Sequence, residues 1–237
     1  MANTRLDSDE RRQAIVDAAV PLFARKGFSG ATTRELAEAA GVSEALLYRH
    51  FPSKQLLYSE ILQQVGCQGD PALEKLASLP ASSATLVCMI RLMVRRFLAG
   101  SEAERADLDP RLRLVLHSCL DDGVYARELF DAVSTQIMPF FTASFEAAVA
   151  AGDITPPRPA QEPGTVANHF WFAHHIAAMM AFASLPGQSC VPYEGTLDQL
   201  VDDASHFILR GIGMSDAAIA ANRQAIPGEP ALQLAAN

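Results

Sequence analysis

Residues 33–54 read TRELAEAAGVSEALLYRHFPSK and predict two short helices joined by a tight turn. Thr32 is a suitable N-cap for the first helix, and Glu35, three positions later, completes a capping box. Gly41 falls where the chain has to turn, because a residue without a Cβ atom adopts a positive φ at little cost. Ser43 is a suitable N-cap for the second helix. This pattern predicts a helix-turn-helix.

The second helix, predicted at residues 44–50, has an inward and an outward face. Leu47 and Phe51 lie four positions apart and are expected to face a small core. A helix of this length is roughly 10 Å long at about 1.5 Å per residue, so it fits a major groove about 12 Å wide. The outward face is therefore predicted to contact DNA. Its residues are Ala45, Tyr48 and Arg49.

Polar groups surround the end of this second helix. Tyr48, His50 and Lys54 each carry a hydrogen-bond donor that suits a phosphate oxygen. Ser53 is placed to cap a following helix, whose N-terminal N–H groups favour an anion. Glu44 lies in the first turn of the second helix, where a carboxylate stabilises the helix N-terminus. Phosphate contacts are therefore predicted beside the base contacts.

The segment resembles the TetR-type bacterial transcriptional regulators, whose pattern runs Thr-Thr, Ile-Ala, Ala-Gly-Val-Ser, Leu-Tyr, His-Phe and Ser-Lys. One departure is Ala45-Leu46, where the family often has Gly and then a small or hydroxyl residue, so no hydroxyl contact to phosphate is expected at Leu46. The resemblance implies that DNA is contacted by Thr33, Ser43, Tyr48, His50 and Lys54. The matching residues are Thr32, Thr33, Leu36, Ala37, Ala40, Gly41, Val42, Ser43, Leu47, Tyr48, His50, Phe51, Ser53 and Lys54.

The charge of the chain is unevenly distributed. The net charge is −8, with 19 basic and 27 acidic residues. Residues 1–54 carry 8 basic and 7 acidic groups, whereas the remainder carries 11 and 20. The first segment is thus +1 and the rest −9. This asymmetry indicates that only the first segment approaches a polyanion, with strongly salt-dependent binding.

Neither a metal site nor a catalytic site is predicted. The four cysteines lie far apart without a CxxC pair, so no cofactor, metal or disulfide framework is expected. His117 and Cys119 are two positions apart on a predicted helix and point away from each other. His169 and His174 also lack the i, i+4 spacing of two metal ligands on one helix. We therefore expect a protein that is not an enzyme. The cysteines are Cys67, Cys88, Cys119 and Cys190.

The fold is predicted to be all-α, because apolar residues recur at helical spacing and no alternating strand pattern with hairpin turns is found. We predict a flexible N-terminal arm (1–8), a three-helix helix-turn-helix DNA-binding domain (9–66), a larger helical ligand-binding and dimerisation domain (67–213) and a flexible C-terminal tail (214–237). In the larger domain, helices are predicted near residues 83–99, 110–120, 122–151, 165–184 and 195–213.

The last two predicted helices are apolar around much of their circumference and so need partners on more than one side. One side can face its own domain and the other a second copy, which would form a four-helix dimer interface as in the TetR family. A fully intramolecular core is the alternative. The resemblance to the TetR family also implies a ligand cavity in this domain, and the adaptable and aromatic side chains that could line it suggest a small, largely hydrophobic or aromatic effector. Packing in the helical core is the alternative for each of them. These residues are Met89, Met93, Phe97, Leu112, Leu116, Phe141, Trp171, Phe172, His175 and Met179.

Together with the resemblance to the TetR family, these patterns predict a homodimeric regulator that a small-molecule effector releases from a near-palindromic, double-stranded DNA operator, most simply a repressor. Two alternatives stay open: a thiol-based redox-sensing regulator with Cys67 or Cys119 as trigger, and a small helical enzyme with a vestigial DNA-binding domain. The N-terminus is polar, and no run of about eighteen uncharged apolar residues stands out. We therefore expect a cytoplasmic protein that does not enter a membrane.

Overall fold

A computed structural model describes residues 7–63, 71–98, 102–155, 162, 164–186 and 189–223. Within these residues it has eleven α-helices and no strand, and the all-α prediction is confirmed. None of these helices is both long and apolar enough to span a lipid bilayer. The helices are α1 (Ser8–Gly30), α2 (Thr33–Ala39), α3 (Glu44–His50), α4 (Lys54–Gln63), α5 (Pro71–Ala77), α6 (Ser83–Leu98), α7 (Glu102–Leu120), α8 (Val124–Ala150), α9 (Thr165–Phe182), α10 (Leu197–Gly211) and α11 (Asp216–Asn222).

The chain divides into two compact units, which we call unit 1 and unit 2. Unit 1 comprises residues 1–66 and 105–132, and unit 2 comprises residues 67–104 and 133–237. Residues 105–132 were predicted to belong to the larger domain, whereas this division groups them with residues 1–66. The structure corrects that assignment, because most of α7 and the start of α8 pack with the first four helices.

Aromatic rings form the centre of unit 1. Phe23 on α1 lies with its ring centroid 5.0 Å from that of Tyr58 on α4, and Tyr58 lies 6.1 Å from Tyr125 on α8. Phe23 and Tyr125 are fully buried. Because Tyr125 belongs to this cluster, the aromatic core of unit 1 is completed by a residue far along the chain.

The end of α1 contacts α7. Gly27 has φ 69° and interrupts the helical backbone, which resumes and ends at Gly30. A Cβ atom on Gly27 would lie 3.4 Å from Nδ1 of His117. The hydroxyl of Ser29 donates a hydrogen bond of 3.0 Å to Asp121. The kink at Gly27 thus lies where α1 approaches α7.

In unit 2, α6, α9 and α10 form the main packing. Arg91 on α6 pairs with Asp202 on α10 at 2.5 Å, and Asp202 also pairs with Arg223. On α9, the side chain of His174 lies 5.2 Å from the ring of Phe97 and 5.6 Å from that of Trp171, measured between centroids. These contacts make α9 the aromatic centre of unit 2.

Part of the predicted C-terminal tail is ordered. Ser215 caps α11 by accepting a 3.2 Å hydrogen bond from the N–H of Ala218, and both Ala218 and Ile219 are buried. An isolated β-bridge joins Met214 to Ile154. The prediction of a flexible tail is therefore wrong up to residue 223, because these small apolar residues find a buried surface. Residues 224–237, and residues 1–6 of the predicted arm, lie outside the described part of the chain.

Candidate nucleic-acid interface

The first helix of the helix-turn-helix begins and ends with hydrogen bonds that the local sequence specifies. Thr32 and Glu35 form the predicted capping box at the start of α2. At its end, the N–H of Val42 donates to the carbonyl of Ala37 (2.9 Å) and the N–H of Gly41 to that of Glu38 (3.1 Å). This is the Schellman arrangement, which needs a left-handed residue after the helix, and Gly41 supplies it with φ 64°.

Helix α3 exposes the face that the sequence predicted. Leu47 and Phe51 are buried at 2% and 1% exposure, whereas Tyr48 is 45% exposed. Ala45 and Arg49 are exposed as well. A phenol, a methyl group and a guanidinium therefore lie side by side on one outer surface, which we call the recognition face. Arg and Tyr side chains suit base edges and phosphates.

Polar residues meet at the N-terminus of α3. The exposed Ser43 caps the helix by accepting a 3.2 Å hydrogen bond from the N–H of Leu46. The half-buried Thr33 lies 3.5 Å from a carboxylate oxygen of the exposed Glu44. The pKa of Arg34 is raised above its usual value, first by the hydrogen bond and charge of Glu38 and then by the charge of Glu44. Glu44 therefore contributes negative charge to the edge of the recognition face in addition to its place in the first helical turn.

Lys54, predicted to contact phosphate, also holds the end of α1. Its ammonium donates hydrogen bonds to the carbonyl oxygens of Phe28 (2.8 Å) and Ala31 (2.9 Å) and lies 4.4 Å from the centre of the Phe28 ring. An ammonium has three donors, and two of them are used in these contacts. Sequence reasoning missed this role, because the acceptors lie more than twenty residues away.

A cluster at the start of α2 links it to α1. Lys26 pairs with Glu35 at 2.5 Å, and Thr32 donates to Glu35 from its backbone (3.1 Å) and its hydroxyl (2.9 Å). The hydrogen bond from Lys26 and those from Thr32 lower the pKa of Glu35 to about 2. Glu35 is therefore a carboxylate at neutral pH, which suits its place at a helix N-terminus.

The residues predicted to line one ligand cavity are divided between the two units. Leu112 and Leu116 belong to unit 1, whereas the other eight belong to unit 2. Phe172 and Met179 are each 62% exposed, and His175 is exposed too. These three lie on an outer face of α9 and not in the wall of an enclosed cavity, because the opposite face packs inward. Met89, Met93, Phe97, Phe141 and Trp171 remain as buried or half-buried candidates.

The histidines and cysteines also differ in their surroundings. Burial, with a smaller contribution from the charge of His175, lowers the pKa of His174 to about 4. Cys88 is buried, whereas Cys119 and Cys190 are exposed. Cys67, one of the two proposed redox triggers, lies outside the described residues. In the part of the chain that is described, no group of three or more His, Cys, Asp or Glu side chains is placed to hold a metal ion.

Sequence similarity to a protein family and to two relatives covers half of the chain or less. The family model described as "Bacterial regulatory proteins, tetR family" matches residues 15–61. The HTH-type transcriptional regulator AcrR of Shigella flexneri is 31% identical over 117 residues, which are 49% of this chain and 53% of that protein. The HTH-type transcriptional repressor KstR2 of Rhodococcus jostii is 43% identical over 53 residues, 22% of this chain and 26% of that protein. The chain thus spans about half the length, or less, of these relatives.

The fold has solved counterparts. The crystal structure of AibR in complex with isovaleryl coenzyme A and operator DNA has a TM-score of 0.60 at 18% sequence identity, covering 87% of this chain and 100% of that one. At this identity the similarity concerns the fold alone. The matched residues 15–61 contain the complete helix-turn-helix of α2 and α3, and this segment is similar to the tetR family of bacterial regulatory proteins.

Proposed function

We propose that this chain is a sequence-specific, DNA-binding transcriptional regulator that acts as a homodimer and responds to a small effector. The observation that carries the proposal is the recognition face, with Tyr48 45% exposed on a helix that is capped at Ser43 and anchored by the buried Leu47. Exposed aromatic and guanidinium groups on a short, anchored helix have the size and chemistry for a major groove.

The predicted contacts divide into two kinds. Ala45, Tyr48 and Arg49 are proposed to face base edges, because they occupy the outer surface of α3. Phosphate contacts are proposed for Thr33, Ser43, His50 and Lys54, which surround the ends of the same helix. Glu44 is proposed to orient Thr33 and to discriminate against unsuitable sequences, since a carboxylate near phosphates is unfavourable unless it accepts a hydrogen bond from a cytosine amino group.

A homodimer is supported by apolar residues on the outer faces of α9 and α10. Phe172 and Met179 on α9 are each 62% exposed, and Phe207 on α10 is 68% exposed. Large apolar side chains on two successive helices suit a self-complementary four-helix interface. Two recognition helices would then enter successive major grooves roughly 34–36 Å apart, and the operator would be near-palindromic.

The effector is proposed to be a small hydrophobic or aromatic molecule held in unit 2. The side chains that support this class are the half-buried Met93, Phe97 and Trp171, which are adaptable or aromatic. AibR was solved with isovaleryl coenzyme A and operator DNA, and KstR2 is named a repressor. By analogy, effector binding would favour a conformation of this chain with lower DNA affinity, which makes the chain a repressor.

Footprinting on fragments of the source genome at two salt concentrations tests the DNA-binding proposal. The wild-type chain should protect a two-fold symmetric site, and Tyr48→Ala should lower its affinity by roughly five- to tenfold. Tyr193→Ala is the matched control, because Tyr193 is 43% exposed but lies in unit 2. Equal protection by both variants would refute the assignment of the recognition face.

The dimer proposal is tested by Phe207→Glu, which places a charge in the proposed apolar interface. Light scattering should show a monomer for this variant and a dimer for the wild type. Leu120→Glu serves as control, since Leu120 is 87% exposed in unit 1 and the substitution adds the same charge. A dimeric Phe207→Glu protein would place the interface elsewhere.

A further inference from the structure

Arg12 on α1 makes three contacts at the C-terminal end of the recognition helix. One guanidinium nitrogen donates a 2.7 Å hydrogen bond to the carbonyl of His50, the last residue of α3. Another donates at 2.6 Å to the carboxylate of Glu60 on α4. The guanidinium carbon lies 4.2 Å from the centre of the Phe51 ring. Arg12 thus joins α1, α3 and α4 at one point.

Helix α3 needs such a contact, because it has only seven residues. Isolated helices of this length are unstable in water, so its position depends on tertiary contacts. The last carbonyl groups of a helix lack intrahelical partners and carry partial negative charge, which a cation stabilises. The planar guanidinium fork binds two acceptors in fixed geometry, whereas a lysine ammonium is a flexible point charge.

We propose that Arg12 is a positioning residue that sets the sequence specificity of the recognition face without contacting DNA itself. Its hydrogen bond holds the backbone of His50, and the preceding residues Tyr48 and Arg49 carry the proposed contacts to DNA. A small rotation of α3 would move both side chains relative to the base edges. The inference rests on the proposed function, since it concerns how the same helix meets DNA.

A positioning role and a phosphate-contacting role differ in their dependence on salt. Loss of one phosphate contact reduces the slope of log K against log salt concentration by about 1 and weakens binding to all sequences alike. Loss of a positioning contact leaves that slope unchanged and lowers only the ratio of specific to non-specific affinity. The two roles are therefore separable by titration of one preferred and one scrambled duplex.

The experiment compares the full-length wild type, Arg12→Gln and Arg11→Gln on both duplexes at four salt concentrations. Arg12→Gln should lower the affinity for the preferred duplex about tenfold, the effect of one charge-assisted hydrogen bond, and leave the scrambled duplex and the slope unchanged. Arg11→Gln is the matched control, because it removes the same charge from the same turn of α1. Among the described residues, the Arg11 side chain has no ion pair or hydrogen bond.

Amide hydrogen exchange provides the second measurement. In Arg12→Gln the N–H of Phe51, which bonds to the Leu47 carbonyl at 2.8 Å, should exchange faster, while the N–H of Ala40 at the end of α2 should not. Arg12→Lys, which keeps the charge but not the fork, gives the same comparison should Arg12→Gln fail to fold; its specific affinity is expected to fall about threefold.

The outcomes separate the two proposals. A wild-type chain that prefers no sequence overturns the proposed function and this inference with it. A wild type with a preferred site whose specificity ratio is the same in both Arg12 variants overturns the inference alone. A reduced salt slope in Arg12→Gln also overturns it, since that result makes Arg12 a phosphate contact.

Discussion

The buried imidazole of His174 makes the stability of unit 2 depend on pH. Burial lowers its pKa from 6.5 to about 4. Between these values the unfolded chain binds a proton that the folded chain does not, so the free energy of unfolding falls as the pH falls from about 6.5 towards 4. At 1.36 kcal/mol for each pH unit, the expected loss between pH 7.5 and pH 4 is about 3 kcal/mol.

His174→Gln removes this titration but keeps a polar side chain among Phe97, Phe170 and Trp171. Urea unfolding followed by the fluorescence of Trp171, the only tryptophan, reports on unit 2. Whatever its stability at pH 7.5, the variant should gain about 3 kcal/mol relative to the wild type by pH 4, because only the wild type carries the penalty of the neutral buried imidazole.

Phe141→Leu is the control for a packing change without a titrating group. Phe141 is 1% exposed and packs against Phe145 and Phe170. Its loss should lower the free energy of unfolding by about 1–2 kcal/mol at every pH, parallel to the wild type. A constant difference between the wild type and His174→Gln from pH 7.5 to pH 4 would refute the reasoning about burial.

Three further substitutions test unit 1. Glu35→Gln should make acid unfolding, followed by circular dichroism, less steep. The pKa of Glu35 is lowered from 4.5 to about 2, so this carboxylate stabilises the folded state above pH 4.5 and the stabilisation is lost as the pH falls towards 2. An unchanged acid transition would contradict this. Gly27→Ala should lower the free energy of unfolding by about 1 kcal/mol or more, because Gly27 has φ 69°. Gly211→Ala is the control and should not lower it, because no atom lies within 4 Å of the new Cβ. Equal thermal melting temperatures of the two variants would contradict the strain argument. Leu47→Ala should lower the free energy of unfolding by about 2–4 kcal/mol and weaken specific DNA binding, since Leu47 is 2% exposed beneath the recognition face. A denaturant midpoint equal to that of the wild type would show that Leu47 is not a core residue.

The helix-turn-helix was predictable because its determinants are local. Thr32 and Glu35 are three positions apart, Gly41 acts through its own backbone angle, and Ser43 caps the helix that begins at the next residue. The spacing of Leu47 and Phe51, four positions apart, also indicates which side of the helix is buried. Such features depend on a few consecutive residues, so the amino-acid sequence contains them in full.

Features that depend on distant pairs were not predictable in this way. Ser29 and Asp121 bond across 92 positions, and both belong to unit 1, which also contains most of α7. Phe172 and Met179 were expected in a cavity but face outward, because helical periodicity identifies an apolar side without saying which neighbour covers it. The local sequence specifies the helix-turn-helix and its recognition face. The side chain that holds this face is set by folding, because Arg12 reaches the His50 carbonyl across 38 positions and the packing of α1 against α3 and α4 brings them together.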